Sequence, residues 1–228
     1  MGINMNTDIF TGKAEVYAKA RPSYPTEAID YIISLLPDDA VFADVGAGTG
    51  KLTILLADRH RFVYAVEPNP DMRERLTTDM SAYSKVKVIA GTAEATLLPD
   101  KCVDVITCAQ ALHWFDPESF RAECRRIGKP AGLVMAIYNS NLDRNDGDHH
   151  RQAIEQFFVN PAVREFPNPI DYTRERWLAY KTSRSYDPLP SDPRYDDHIA
   201  EMNAIFDHES VDGILRQEVI TTVYSEAI

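Results

Sequence analysis

Short, almost purely apolar runs alternate with amphipathic stretches over the first two thirds of the chain. The runs 41–45, 62–66, 86–90, 103–109 and 133–138 have strand length and few polar positions. Between them the apolar residues recur with helical period, as at Ile29, Ile32, Ile33 and Leu36. That pattern predicts helices over 15–20, 26–36 with Thr26 as cap, 72–80 and 117–127. Strands apolar on both faces, separated by helices, predict a mostly parallel sheet covered on both sides.

The rhythm changes after Asn139. A helix is predicted over 146–158, with Ile154, Phe157 and Phe158 on its apolar side. A Pro-, Tyr- and Arg-rich stretch follows to Tyr195, with a short helix after the cap Thr173 that packs through Trp177 and Leu178. Another helix is expected over 196–206, and the β-branched 218–224 reads as a closing strand. Residues 1–228 therefore read as one domain, with a helical cap over 1–36 and a C-terminal lid insertion over 160–208. Pro161, Pro167 and Pro169 interrupt the interval where a further sheet strand would fit, and proline is excluded from central strands. The sheet is accordingly expected to have seven strands, or six if that one is short, displaced or absent.

The chemistry concentrates where the first strand ends. Residues 40–51 read AVFADVGAGTGK: a strand ending in Asp44, the turn Gly46-Ala47-Gly48-Thr49-Gly50, then a helix. Strand, glycine turn and helix form the first unit of a nucleotide-binding, doubly wound, Rossmann-like fold. Gly46 takes backbone angles closed to other residues, Gly48 removes a side chain where a ligand approaches, and Gly50 lets the helix pack closely on the strand. Dinucleotide binders carry Gly-x-Gly-x-x-Gly around a pyrophosphate. Here the third glycine comes one residue early, and the Asp44 carboxylate suits an ammonium rather than a phosphate.

With Asp44, Gly46, Gly48 and Gly50, this segment resembles the first motif of the class I S-adenosylmethionine-dependent methyltransferases, acidic-x-Gly-x-Gly-x-Gly. The endings His113-Trp114-Phe115-Asp116 and FTGKAEVYAKARPSYP (10–25) resemble a small-molecule branch that includes the trans-aconitate methyltransferases. Together the likeness covers about 10–139, and Ser183-Arg184-Ser185-Tyr186 adds a fainter trace. It implies S-adenosylmethionine as cofactor, S-adenosylhomocysteine as product and a small-molecule methyl acceptor.

In open α/β sheets ligands sit at the carboxyl ends of the strands. Glu67, followed by Pro68, lies about twenty residues past the first glycine, where a carboxylate accepts the ribose hydroxyls. The resemblance places Ala93 and Glu94 around the adenine edge, and Ala47 and Gln110 near the methionine end. The plain alternative for Glu94 is the surface of a starting helix. For the acceptor, Tyr17 and Arg21 are four apart and share a helix face, while Arg184 and Tyr186 close from the lid and Trp114 walls the pocket. A carboxylic acid acceptor needs cations and no base, so O-methylation of a carboxylate is the favoured chemistry. His113 is the candidate catalytic base for an acceptor that must lose a proton, or else a wall group.

Charge and cysteines narrow the field. The net charge of −11 and the lack of a basic block disfavour nucleic acid. No apolar run reaches the roughly 20 residues of a membrane span, and residues 1–10 lack a signal-peptide pattern. A cytoplasmic protein is expected, monomeric or homodimeric, and off the membrane. Cys102, Cys108 and Cys124 have neither disulfide nor zinc spacing. Asp143, Asp146, Asp148, His149 and His150 read as a solvated loop and helix cap, so no metal is expected. Two other readings stay open: a nicotinamide-dependent oxidoreductase, weakened by Asp44 and the early glycine, and a non-catalytic S-adenosylmethionine-binding protein.

Overall fold

A computed structural model describes residues 11, 12, 14–141, 148–184, 187, 188 and 190–228. The strands are β1 (Val41–Val45), β2 (Phe62–Val66), β3 (Val86–Ile89), β4 (Val103–Ala109), β5 (Gly128–Asn141), β6 (Ala162–Pro167), β7 (Ile170–Tyr172), β8 (Leu215–Gln217) and β9 (Val219–Ala227). The helices are α1 (Ala14–Ala20), α2 (Thr26–Ser34), α3 (Lys51–Ala57), α4 (Pro70–Asp79), α5 (Pro117–Ile127), α6 (Asp148–Phe157), α7 (Arg174–Thr182) and α8 (Tyr195–Glu209), with a 3₁₀ turn at Leu112–Trp114.

Seven strands form the main sheet in the order β3-β2-β1-β4-β5-β9-β6. All neighbours run parallel except β9, which is antiparallel to β5 and to β6. The period of two along each inner strand feeds two cores. Phe42, Val105, Met135 and Ile137 point to one face, against α2 and α3. Ala43, Ile106, Val134, Ala136 and Tyr138 point to the other, against α5 and α6. Burial on both faces is why these strands read as unbroken apolar runs.

The sixth strand is present, so the sheet has seven strands rather than six. β6 pairs only with β9 and forms one edge of the sheet, β3 the other. Pro161 lies just before it and Pro167 closes it, so neither proline stands in a central ladder. The stretch 160–208 thus opens with a sheet strand. What stands apart is residues 170–217: β7 and β8 form a separate two-stranded sheet that packs with α7 and α8 around Trp177, Met202 and Phe206.

Several boundaries differ from the sequence pattern for local reasons. β5 runs on to Asn141 because Asn139–Asn141 pair with Val219–Thr221 of β9, and their polar side chains hid the strand. α2 begins after Pro25, and Thr26 is its first helical residue rather than its cap. α4 begins at Pro70, capped by the Asn69 side chain, which accepts from Met72 N–H at 3.0 Å. Thr173 does cap α7, accepting from Arg176 N–H at 3.3 Å. No described helix is long and apolar enough to cross a membrane.

Candidate functional site

β1 delivers Asp44 to the carboxyl edge of the sheet, and the chain then turns over Gly46–Gly50 into α3. Gly46 and Ala47 N–H donate to Val66 O at 2.9 and 3.0 Å, which ties the turn to the end of β2. Gly46 has φ +71°, and a Cβ there would stand 2.8 Å from Ala111 Cβ and 3.1 Å from the Phe115 ring. Gly48 is the opposite case: a Cβ there would meet nothing within 4 Å, so its backbone faces open space. Gly50 stands at φ +89° and is closely packed. It lines neither cavity described below, and its Cβ would fall 2.6 Å from Leu76 Cδ1 of α4. The partner it admits is the next helix rather than the strand.

Asp44 is 1% exposed. Its carboxylate accepts the Thr53 hydroxyl at 2.6 Å and the Thr107 hydroxyl at 3.1 Å. Burial outweighs these bonds and pushes its pKa up to about 6. The folded protein thus holds this proton more tightly than an unfolded chain does, where the pKa is about 3.9. Its stabilising contribution is complete below about pH 4 and is lost as pH rises through about 6. Asp44→Asn does not ionise, so it is expected to gain stability relative to wild type between about pH 4 and pH 7.5. Urea unfolding at both pH values checks this; a constant difference between the two proteins would contradict it.

Glu67 follows β2 and is buried. One carboxylate oxygen accepts Gly48 N–H at 2.7 Å and the other Asn69 N–H at 2.8 Å. Burial raises its pKa despite both bonds. The side chain therefore couples the glycine turn to the cap of α4.

Two adjoining cavities open on these groups. The smaller, about 100 Å³, is walled by Glu67, Pro68, Ala93, Glu94, Gln110 and Phe115. Thr92 to Glu94 form a loop rather than a helix start, and Glu94 accepts Asp116 N–H at 3.2 Å. The larger, about 1020 Å³, takes in Asp44, Ala47, Arg21, His113 and Arg184. Tyr17, Gly46, Gly48, Gln110 and Trp114 line both. Gln110 stands at φ +57° and its amide donates to Asn139 O at 3.2 Å.

On the far wall, Arg21 lies over the Tyr17 ring at 4.7 Å and the Tyr180 ring at 5.7 Å. It donates to Ser183 O at 3.3 Å, and its buried Nε meets no acceptor among the described residues. Tyr17 and Arg21 do share one face. Arg184 lines the cavity too, but its guanidinium is held by Asp187 through bonds of 2.6 and 2.9 Å. Its charge is thus largely compensated, whereas Arg21 keeps an Nε–H unmet among the described residues. Tyr186 lies outside the described residues.

His113 Nδ1 stands 3.4 Å from the Tyr138 hydroxyl. Burial pushes the Tyr138 pKa well up, so that hydroxyl stays neutral. His150 stacks on Tyr138 at 4.1 Å and lines the cavity, although its acid-rich surroundings read as a solvated loop. Tyr172, Tyr180 and Lys51 were also missed. Lys51 carried a signal, a cation in the first turn of a helix, whereas the tyrosines carried none. Asp143 and Asp146 lie outside the described residues, and no cluster of His, Cys, Asp or Glu among the described residues is placed to hold a metal.

Residues 43–136 match the family model described as a methyltransferase domain. An uncharacterized methyltransferase of Mycobacterium tuberculosis is 38% identical over 135 residues, covering 59% of this chain and 54% of that protein. An uncharacterized methyltransferase-like protein of Schizosaccharomyces pombe is 35% identical over 141 residues, with 60% and 54% covered. The match thus spans about half the length of these relatives. Among solved structures, a proposed type II methyltransferase of Anaeromyxobacter dehalogenans shares the fold with a TM-score of 0.69 at 21% identity, covering 91% of this chain and 97% of that one. A phosphoethanolamine N-methyltransferase of Haemonchus contortus, solved with S-adenosylhomocysteine, shares it at a TM-score of 0.54 and 11% identity, covering 99% and 57%.

Proposed function

We propose that this chain, built on an S-adenosylmethionine-dependent methyltransferase domain, methylates a small anionic acceptor held in the larger cavity. The cofactor of that domain is S-adenosylmethionine. The residues present fit it: Gly48 leaves its backbone open to a ligand, Asp44 offers a carboxylate for an ammonium, and Glu67 two oxygens for ribose hydroxyls. We assign Pro68, Ala93 and Glu94 to the adenine end, and Gly46, Ala47 and Gln110 to the methionine end. The methyltransferase domain displaces the nicotinamide reading. The non-catalytic reading rested on a missing strand at 160–170, and β6 occupies that interval.

When bound, S-adenosylmethionine supplies a methyl carbon on a sulfonium, an electrophile that needs no activation. The chain's own part is to align the acceptor and to exclude water. Tyr17, Trp114 and Phe115 wall the junction of the two cavities, where the methyl group and acceptor would meet. Residues 170–217 serve as the lid, with Tyr172 and Tyr180 facing the acceptor.

The observation that favours a carboxylic acid is the state of Arg21. A guanidinium held between two tyrosine rings, with a buried Nε–H lacking an acceptor, is set for a carboxylate. Such an acceptor is ionised at neutral pH, and transfer to its oxygen requires no base. His113 then stands as a wall group, and it would take a proton only from a hydroxyl acceptor. A radiolabelled methyl-transfer screen over carboxylic acids, phenols and amines tests the reading. On the acceptor found, Arg21→Ala is expected to raise KM about 10-fold or more, with the S-adenosylhomocysteine Kd within about twofold. A preference for amines, or equal losses in both constants, would sink it.

A further inference from the structure

Lys51 is the first residue of α3, directly after Gly50, and it lines the larger cavity. A cation is poorly placed there. The N-terminal end of a helix carries partial positive charge, and the first turn of α3 holds no acidic residue to offset it. Burial lowers the pKa of the ammonium, and the Arg176 and Arg75 charges act in the same direction; Asp79 alone opposes them. Among the described residues Lys51 makes no hydrogen bond and no ion pair. Of the other two cations of the wall, Arg184 is paired with Asp187, and Arg21 gives one bond to Ser183 O while its Nε–H stays unanswered among the described residues. Among the described residues, Asp44 is the one carboxylate on the cavity wall, on a chain whose net charge is −11. A neutral helix former at position 51 would avoid every one of these costs, whereas a ligand anion would repay them.

We propose that Lys51 binds a carboxylate of the ligand in the larger cavity and so helps set which ligands that cavity accepts. Asp44, Gly48 and Lys51 line one wall, so the carboxylate can belong to the cofactor's amino acid tail or to the acceptor. The proposal rests on the methyltransferase reading only for this choice of source. In either case the ammonium acts as a point charge, and Lys51→Arg preserves it where Lys51→Met does not.

Calorimetric titration of the whole chain decides between the sources. Wild type, Lys51→Met and Lys51→Arg are each titrated with S-adenosylhomocysteine, with its decarboxylated counterpart, and with benzoate and succinate. If the cofactor carboxylate is the partner, Lys51→Met weakens S-adenosylhomocysteine about 10-fold, spares the decarboxylated ligand, and Lys51→Arg restores binding. If the acceptor carboxylate is the partner, S-adenosylhomocysteine binds all three proteins alike, and a carboxylate probe weakens about 10-fold in Lys51→Met alone. Affinities unchanged within about twofold for every ligand overturn the proposal, as does equal loss for the two adenosyl ligands. A wild type that binds neither adenosyl ligand would defeat the methyltransferase reading, while benzoate and succinate would still decide for or against Lys51. Circular dichroism of both variants confirms that they fold.

Discussion

Glu67→Ala is expected to weaken S-adenosylhomocysteine binding by about 100-fold or more, the largest ligand effect of any single change in this site. The carboxylate is buried and meets Gly48 N–H with one oxygen and Asn69 N–H with the other. Each oxygen retains a further lone pair, so a ribose diol can be bound without breaking either bond. Two hydrogen bonds to a charged acceptor are each worth about 1.5–3 kcal/mol, and about 2.7 kcal/mol already gives the 100-fold loss. Truncation also leaves two donors unanswered, a half-buried one at the turn and a buried one at the cap of α4, which loosens the floor of the cavity. Glu67→Gln separates these contributions. The amide keeps one acceptor oxygen and the shape, and about a 10-fold loss is expected. Calorimetry reads both variants, and an unchanged Kd in Glu67→Ala would place the ribose elsewhere.

The parts of the site legible in the sequence were those fixed by backbone geometry. Strand, glycine turn and helix are local, so spacing alone located Asp44, Gly46 and Gly48 at the end of β1, and Glu67 just past the end of β2. Contacts between distant segments were not legible. The Arg184–Asp187 pair lies within one short segment, yet nothing in its spacing says that the carboxylate turns onto the arginine rather than into solvent. Tyr180 and Tyr172 reach the cavity only because the 170–217 layer folds over α1, with Arg21 bridging to Ser183 O. His150 reads as a polar loop residue until its stacking on Tyr138, twelve residues earlier, is seen.

The fold divides along the same line. Runs buried on both faces declared themselves through composition in β1, β2, β4 and β5, and β3 read as an apolar run although it lies at the other edge. β6 did not, because an edge strand tolerates prolines at its ends and needs no unbroken apolar run. Its neighbours Pro161 and Pro167 are signs of an edge rather than of a missing strand. β7 and β8 have three residues each, too short for a period of two to register. Gly50 shows the limit of motif reading. It matches the glycine pattern, and the pattern gave no sign that a side chain there would fall 2.6 Å from Leu76 Cδ1.

The second large effect concerns stability. Trp177→Ala is expected to cost about 3–5 kcal/mol, a large share of the roughly 5–15 kcal/mol that holds a typical domain. Trp177 is fully buried, its indole N–H donates to Met202 O at 2.9 Å, and its ring meets Tyr172 edge-on at 5.7 Å. The Lys181 ammonium, itself 1% exposed, sits 4.4 Å from the same ring. Removing the indole therefore opens a void, takes a second hydrogen bond from the Met202 carbonyl and strips a buried cation of one of its two aromatic faces. The damage falls on the 170–217 layer, whereas Asp44, Glu67 and the glycine turn belong to the main sheet. Because the chain has two tryptophans, Trp114 alone fluoresces in the variant, and it stands at the junction of the two cavities. Urea unfolding should show the lower midpoint, while S-adenosylhomocysteine still perturbs Trp114 emission with a Kd within about threefold of wild type. A loss below about 1 kcal/mol would mean that the layer closes over the void. Loss of ligand binding in a folded variant would make the layer part of the cofactor site, and the division of labour between sheet and lid would have to be redrawn.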